Sequence, residues 1–368
     1  MRKIVLAVAV SAIALAVSSP AIQAGTLIPV PSVPGSTATY IAEINNNNVI
    51  AGDYTTSDGE YHGFVGTLDG QYTTFDHPDG QTFVEGINDD GYITGGSNAH
   101  MGDCPIFGCA FLRTPGGSIK TITNDGSPVD GLGADISSHN KLIGQYFYFD
   151  GQNAFFYGFY GKGTKYRSAL TLPFNTDRTS PRGYNKRGSV VGYFHDLDNG
   201  GDYPGFTLQN GVATVVHYPD PDAYRVFLEG INDKGMISGA WIDLHDTFER
   251  AFLFDMSNNA FSEISIPNAT YVFAKGINNA GVVAMTGDGV SYIYCSKRKN
   301  CPAGGGNAIE ILDKWIPATP KNLHSAICRN GCIGARQHAV ANPNPAAIRE
   351  AIKRDPTLQM ELHLLHRP

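Results

Sequence analysis

The chain has 368 residues, 42% apolar and 17% charged, and its 43 glycines, 19 Phe and 18 Tyr exclude a disordered polypeptide and favour a turn-rich β protein. The net charge of −7 is uneven: Gly25 to Cys295 carries 14 Lys/Arg against 29 Asp/Glu, whereas Ser296 to Pro368 carries 11 against 5. An acidic body excludes a nucleic-acid partner, because phosphate neutralisation dominates that affinity. The basic tail is suited to docking on its own acidic body or on an anionic surface.

In chain order the first expected element is a signal peptide over residues 1–24. Arg2 and Lys3 give the basic start, Ile4 to Val17 the apolar stretch, and Ala21-Ile22-Gln23-Ala24 the small residues before cleavage. The stretch is too short to span a bilayer comfortably, and no later segment is apolar enough to do so. The expected location is therefore secreted or periplasmic, with no transmembrane segment after cleavage.

A repeated phrase then fills residues 25–295. Ile44-Asn45-Asn46-Asn47-Asn48-Val49-Ile50-Ala51-Gly52 returns as Ile87-Asn88-Asp89-Asp90-Gly91-Tyr92-Ile93-Thr94-Gly95 and as Ile231-Asn232-Asp233-Lys234-Gly235-Met236-Ile237-Ser238-Gly239. Looser copies start at Ile136, Tyr184 and Ile277. The spacing is about 47 residues, a propeller-blade period. The fifth slot holds Asn48, Gly91, Asn140, Gly188, Gly235 and Gly281, the two residue types that best tolerate the left-handed turn of a three-residue hairpin loop. The opening Asn (Asn45, Asn88, Asn185, Asn232, Asn278, with Ser137 in the third copy) is suited to capping that turn.

The strand after the turn places Ile50, Ile93, Leu142, Val190, Ile237 and Val283 on one face. Gly52, Gly95, Gly144, Gly192 and Gly239 follow on the same face and imply a close approach by backbone or an aromatic ring. A third strand reads His62-Gly63-Phe64, Cys109-Ala110-Phe111, Tyr157-Gly158-Phe159, Pro204-Gly205-Phe206 and Arg250-Ala251-Phe252, and a fourth ends at proline. Four short strands in each of six units predict an all-β fold, a six-bladed β-propeller. The last copy lacks its fourth strand, so Leu27 to Pro34 is expected to complete that blade and close the ring. An open solenoid is the alternative.

These residues resemble the HAF family of extracellular repeat proteins, whose units look like G-I-N-x-x-G-x-[IV]-x-G-x-Y followed by H-[AG]-F. The likeness covers roughly Leu27 to Tyr294, and the family's histidine occurs only at His62. The resemblance implies an exported, bacterial-type repeat protein with a propeller-like body. It implies no reaction, so no catalytic residue is carried over.

With strands running outward from the axis, the loop after the second strand and the loop into the next blade share one face. The first class supplies Asp53, Asp58, Tyr61, His62, Met101, Asp103, His195, Asp196, Asp198, Asp202, Asp243, His245 and Asp246. The second supplies His77, Asp79, Asp177, Arg178, Asp220, Asp222, Tyr224 and Arg225. Such groups converging on one face would form a cleft for a small molecule, glycan or protein, while the plain alternative is that exposed loops are polar anyway. Asp196, Asp198 and Asp202 alternate as calcium-loop carboxylates do, without the closing Glu of an EF-hand. Protease, hydrolase-elbow and phosphate-loop motifs are absent from the sequence.

Six cysteines fall in three close pairs, Cys104 with Cys109, Cys295 with Cys301 and Cys328 with Cys332, which in an exported chain predicts three local disulfides. Residues 296–368 form a basic extension, expected to be partly helical at Ala308 to Ile316 and Ala346 to Lys353. Functionally, the sequence favours a monomeric, non-catalytic binding module acting through the loop face. A hydrolase or lyase acting on a carbohydrate or lactone through loop carboxylates, and a pure scaffold, are the alternatives.

Overall fold

A computed structural model describes residues 22–78, 80–98, 104, 108–150, 152–245, 247–303, 307–317, 323–327 and 333–334. The part of the expected signal peptide up to residue 21, Asp103, the Cys328–Cys332 pair and the helix expected at 346–353 lie outside the described residues.

Six four-stranded antiparallel sheets surround one axis. Blade one consists of Ala38–Ile44, Ile50–Thr55, Tyr61–Gly66 and Tyr72–Phe75, from the axis outward. The inner strands of the next five blades are Gln81–Ile87, Gly131–Ile136, Thr179–Tyr184, Ala223–Ile231 and Val272–Ile277. Each pair of neighbouring blades shares one apolar cluster. Ala51 meets Val84 and Phe111 between blades one and two, for example, and Ile143 meets Phe206 and Val215 between three and four. The core is thus a ring of six flat seams rather than one centre.

The repeat's turn behaves as its residues dictate. Asn48, Gly91, Asn140, Gly188, Gly235 and Gly281 all have positive φ, from 55° to 84°. The opening asparagine caps its own hairpin: in blade one, the backbone N–H groups of Asn47 and Val49 both donate to Asn45 Oδ1 at 3.0 Å. Its amide nitrogen does something the sequence did not announce. Asn185 Nδ2 donates to the Asn232 carbonyl, Asn232 to Asn278, Asn278 to Asn45, Asn45 to Asn88 and Asn88 to Ser137, at 3.0–3.2 Å. These five bonds run from blade to blade around one mouth of the axial channel, and the third copy's Ser137 leaves the one gap.

The strand glycines also find their partners. Gly52, Gly95, Gly144, Gly192 and Gly239 stand directly opposite Phe64, Phe111, Phe159, Phe206 and Phe252. At Gly192 a side-chain carbon would lie 2.1 Å from the Ser180 carbonyl oxygen and 3.0 Å from the Phe206 ring. The missing side chain makes room for a bulge in the inner strand and for the ring lying across it.

Ring closure follows the expectation. Ile22–Pro29 pairs with Val290–Cys295, with Leu27 opposite Tyr294. It begins three residues before the anticipated mature N-terminus, and the pairs from Thr26 onward do not depend on those residues. The helical expectation for Ala308 to Ile316 is corrected. Ile309–Pro317 is a strand, inserted between the N-terminal strand and Ala260–Ile264, so blades five and six merge into one nine-stranded sheet. Two unfilled sheet edges supplied partners that outweighed local propensity. Further on, Leu323–Ile327 adds a strand to blade four, and Ile333–Gly334 pairs with the outer strand of blade three. Among the described residues there is no α-helix, only two short 3-10 turns. Cys104–Cys109 and Cys295–Cys301 form the expected disulfides.

Candidate functional site

Every inner strand carries a β-bulge at the same place, skipping Ala42, Glu85, Ala134, Arg182, Glu229 and Lys275 in the pairing register. A bulge re-aims its side chain, and here Glu85, Arg182, Glu229 and Lys275 turn into the axial channel. Two residues earlier, Tyr40, Phe83, Phe227 and Phe273 line the same channel, joined by Tyr61 and Tyr193. The result is an open recess with an aromatic wall above a charged floor. Its other lining groups include Asp53, Glu249 and Thr286. It opens on the loop face; the asparagine hairpins crowd the opposite end.

The floor is a cycle of alternating charge. Arg182 Nη1 lies 3.7 Å from Glu85 Oε2 and its Nε 3.7 Å from Glu229 Oε1. Lys275 Nζ lies 3.7 Å from Glu85 Oε2 and 3.8 Å from Glu229 Oε2. All four contacts are ion pairs just beyond direct hydrogen-bond length. The Arg182 side chain is 4% exposed, and its Nε and Nη1 have no hydrogen-bond partner among the described residues. Burial opposes its charge, but Tyr193, Glu229 and Glu85 outweigh burial and hold the guanidinium firmly protonated. In the wall, Tyr193 and Phe227 meet edge to face at 4.6 Å, and Lys275 Nζ sits 5.5 Å over the Phe273 ring.

Below the floor, the buried Asp135 and the half-buried Glu43 lie in the neck between recess and asparagine ring. Burial raises the Asp135 pKa to about 7, against the pull of N–H donation from Tyr184 and Ile136. Glu43 is raised well above the usual carboxylate range, first by burial and then by Asp135. Room for both comes from glycines on neighbouring blades: Glu43 covers Gly276 and Asp135 covers Gly86.

Of the loop-face candidates, Asp53 and Tyr61 line the recess and the other described ones do not. Burial holds the Asp53 carboxyl well above the usual range, although the Val84 N–H donates to it. Asp58 accepts from Thr56 and from the Glu60 N–H within its own exposed turn. His62 is fixed by Asp76 at 2.7 Å and stacks on Tyr54, and His195 is fixed by Asp177 at 2.7 Å and stacks on Tyr203. Asp243 gathers the N–H groups of His245, Thr247 and Phe248, leaving His245 exposed. These described loop groups are thus bonded within their own turns or to the neighbouring loop, and do not line the recess.

The alternating carboxylates do not converge either. Asp196 accepts from the Asp198 N–H and from Asn199 Nδ2, while Asp198 accepts from Asn175 Nδ2. Desolvation raises the Asp202 carboxyl, against the pull of nearby His217. Among the described residues no cluster of three or more His, Cys, Asp or Glu is arranged to hold a metal ion.

What the sequence reading missed had a signal. Glu85-Gly86-Ile87-Asn88, Arg182-Gly183-Tyr184-Asn185, Glu229-Gly230-Ile231-Asn232 and Lys275-Gly276-Ile277-Asn278 repeat a charged residue three places before the hairpin asparagine. A charge recurring at one position of a buried strand is a functional signal that alternation alone does not reveal.

No family model matches the chain, and no curated protein sequence matches it. Solved structures align with the chain at low identity. A virginiamycin B lyase from Staphylococcus aureus is 14% identical, covering 81% of this chain and 100% of its own, with TM-score 0.42. A gluconolactonase from Xanthomonas campestris is 12% identical, covering 73% and 88%, with TM-score 0.45. A lectin from Aleuria aurantia is 11% identical, covering 78% and 98%, with TM-score 0.46.

Proposed function

We propose that this chain is an exported, HAF-type repeat protein that works as a non-catalytic binding module, taking a small ligand into its axial recess. The observation that carries the proposal is the stacking of two tiers at equivalent positions of the inner strands. Aromatic side chains stand above, and a closed cycle of two carboxylates and two cations lies below. A scaffold has no use for gathering four charges, two of them buried, since burying a charge costs free energy that only partners or a ligand recover. Large apolar walls with few convergent polar groups are how small-molecule sites are built. The two disulfides fit an oxidising compartment, and among the described residues no helix is long and apolar enough to cross a membrane.

A second reading has one observation in its favour. Asp53 sits in the recess with its carboxyl held well above the usual range, the state in which a carboxylic acid donates a proton near neutral pH. A hydrolase or lyase acting on a carbohydrate or lactone would use it as general acid.

Thermal-shift screening of the mature chain against a metabolite and glycan library separates these readings. The binding module predicts hits that stabilise the wild type, disappear in Phe273→Ala and are recovered unchanged after incubation. Conversion of a hit, abolished by Asp53→Asn while binding persists, establishes the enzyme. Stabilisation by no compound leaves the scaffold.

A further inference from the structure

We infer that the recess selects a neutral sugar residue, held face-on by the aromatic tier and by its hydroxyl edge on the charged floor. This rests on the recess being the binding site. The floor argues first. Its four ion-pair gaps of 3.7, 3.7, 3.7 and 3.8 Å are each too long for a direct bond. One hydroxyl oxygen can close each gap, accepting from the cation and donating to the carboxylate. Arg182 Nε and Nη1, buried and without hydrogen-bond partners among the described residues, are donors waiting for such an acceptor. A ring of hydroxyls on adjacent carbons matches an alternating cycle of donors and acceptors.

Charge argues next. Two carboxylates and two cations leave the floor neutral, so each end of a charged ligand meets a like charge. A carboxylate reaching Arg182 also faces Glu85 and Glu229, and an ammonium reaching Glu85 also faces Arg182 and Lys275. Like-charge contact in a dry site costs several kcal/mol. A neutral polyol incurs neither repulsion.

The wall completes the match. Phe83 of blade two and Phe227 of blade five stand on opposite sides of a six-fold ring, with Phe273 and Tyr40 between them around the mouth. Aromatic side chains on both sides suit the C–H faces of a pyranose, whose hydroxyls project from its edge.

The test is titration calorimetry of the mature chain with D-glucose, D-galactose and L-fucose, against D-glucuronate and choline as charged probes. Two variants are used: Phe273→Ala, which trims a half-buried wall residue, and Lys275→Gln, which breaks the floor cycle. Unfolding curves confirm that each still folds. The expected result is binding of at least one neutral sugar, weakened about tenfold or more in both variants, with glucuronate and choline weaker than that sugar. Tighter binding of glucuronate or choline, lost in Phe273→Ala, overturns the sugar assignment and leaves the recess as the site. Sugar binding indifferent to both variants, or no binding by any probe, overturns the sugar assignment and the recess together.

Discussion

At the scale of single residues, the repeat uses glycine for two unrelated purposes four positions apart. Gly188 has φ +82° and nothing near where a side chain would go, so only its backbone conformation matters. Asparagine fills the equivalent slot in two other blades, as Asn48 and Asn140. Gly192 has ordinary φ but no room, with the Ser180 carbonyl 2.1 Å from a would-be side-chain carbon. Gly188→Asn should therefore cost no more than about 1 kcal/mol. Gly192→Ala should cost about 3 kcal/mol, because the inner-strand bulge or the Phe206 ring must move. Urea unfolding of the two variants checks this, and equal losses would refute the distinction. Both purposes were legible in the chain, one from the Gly/Asn choice and the other from the Gly–aromatic spacing. The blade-to-blade bonds of the asparagines were not. Which carbonyl an amide reaches depends on how the six hairpins close a ring, and no local pattern encodes that.

Elements were legible where a repeat left a deficit. Blade six ended after three strands, and the N-terminal segment had the right length and composition to fill it; the Thr26–Cys295 to Pro29–Tyr292 register shows that it does. The tail was misjudged because Ala308 to Ile316 was weighed alone. Ile309 and Ile311 share one face of the strand, Ile311 entering the core while Ile309 stays exposed at its start, and two open sheet edges decided the strand over local helix propensity. The two closures should differ in consequence. Beginning the chain at Val33 removes the strand whose Leu27 and Ile28 enter the clusters on both sides of blade six. Ending the chain at Ala303 removes an outer layer yet retains the Cys295–Cys301 disulfide. The first truncation is expected to abolish a single cooperative unfolding transition. The second should lower Tm by only several degrees. Calorimetry with limited proteolysis of both forms decides, and the reverse order would mean that the tail, not the N-terminus, closes the ring.

For the whole molecule, the axis is where six blades meet, and each contributes one charged side chain there: Glu43, Glu85, Asp135, Arg182, Glu229 and Lys275. Glu43 and Asp135 are brought together only by the closed ring, from blades that never pair in one sheet. The charges facing them are Lys275 and Glu229, beside Glu43. Asp135 has a folded pKa of about 7, against an ordinary value of 3.8. Below that ordinary value both folded and unfolded chains carry the proton, and the site costs nothing. As pH rises toward 7 the unfolded chain ionises first while the folded chain keeps its proton. Stability from this group is therefore present at low pH, falls through the interval between about 4 and 7, and levels off above it. Each pKa unit corresponds to about 1.4 kcal/mol, so the slope amounts to about 3 kcal/mol between pH 5 and 8. Asp135→Asn keeps the shape and removes the titration. Losing one of the two N–H acceptor contacts from Ile136 and Tyr184 should lower stability at every pH by an amount that does not vary. The informative quantity is the gap between variant and wild type, measured by guanidinium unfolding at pH 5 and pH 8. It should move in favour of the variant by about 3 kcal/mol on going to the higher pH. Relief of Glu43 adds to that movement, because Asp135 is part of what raises it. Parallel curves would show that Asp135 stays ionised in the folded chain, and that the neck of the channel is wetter than its packing implies.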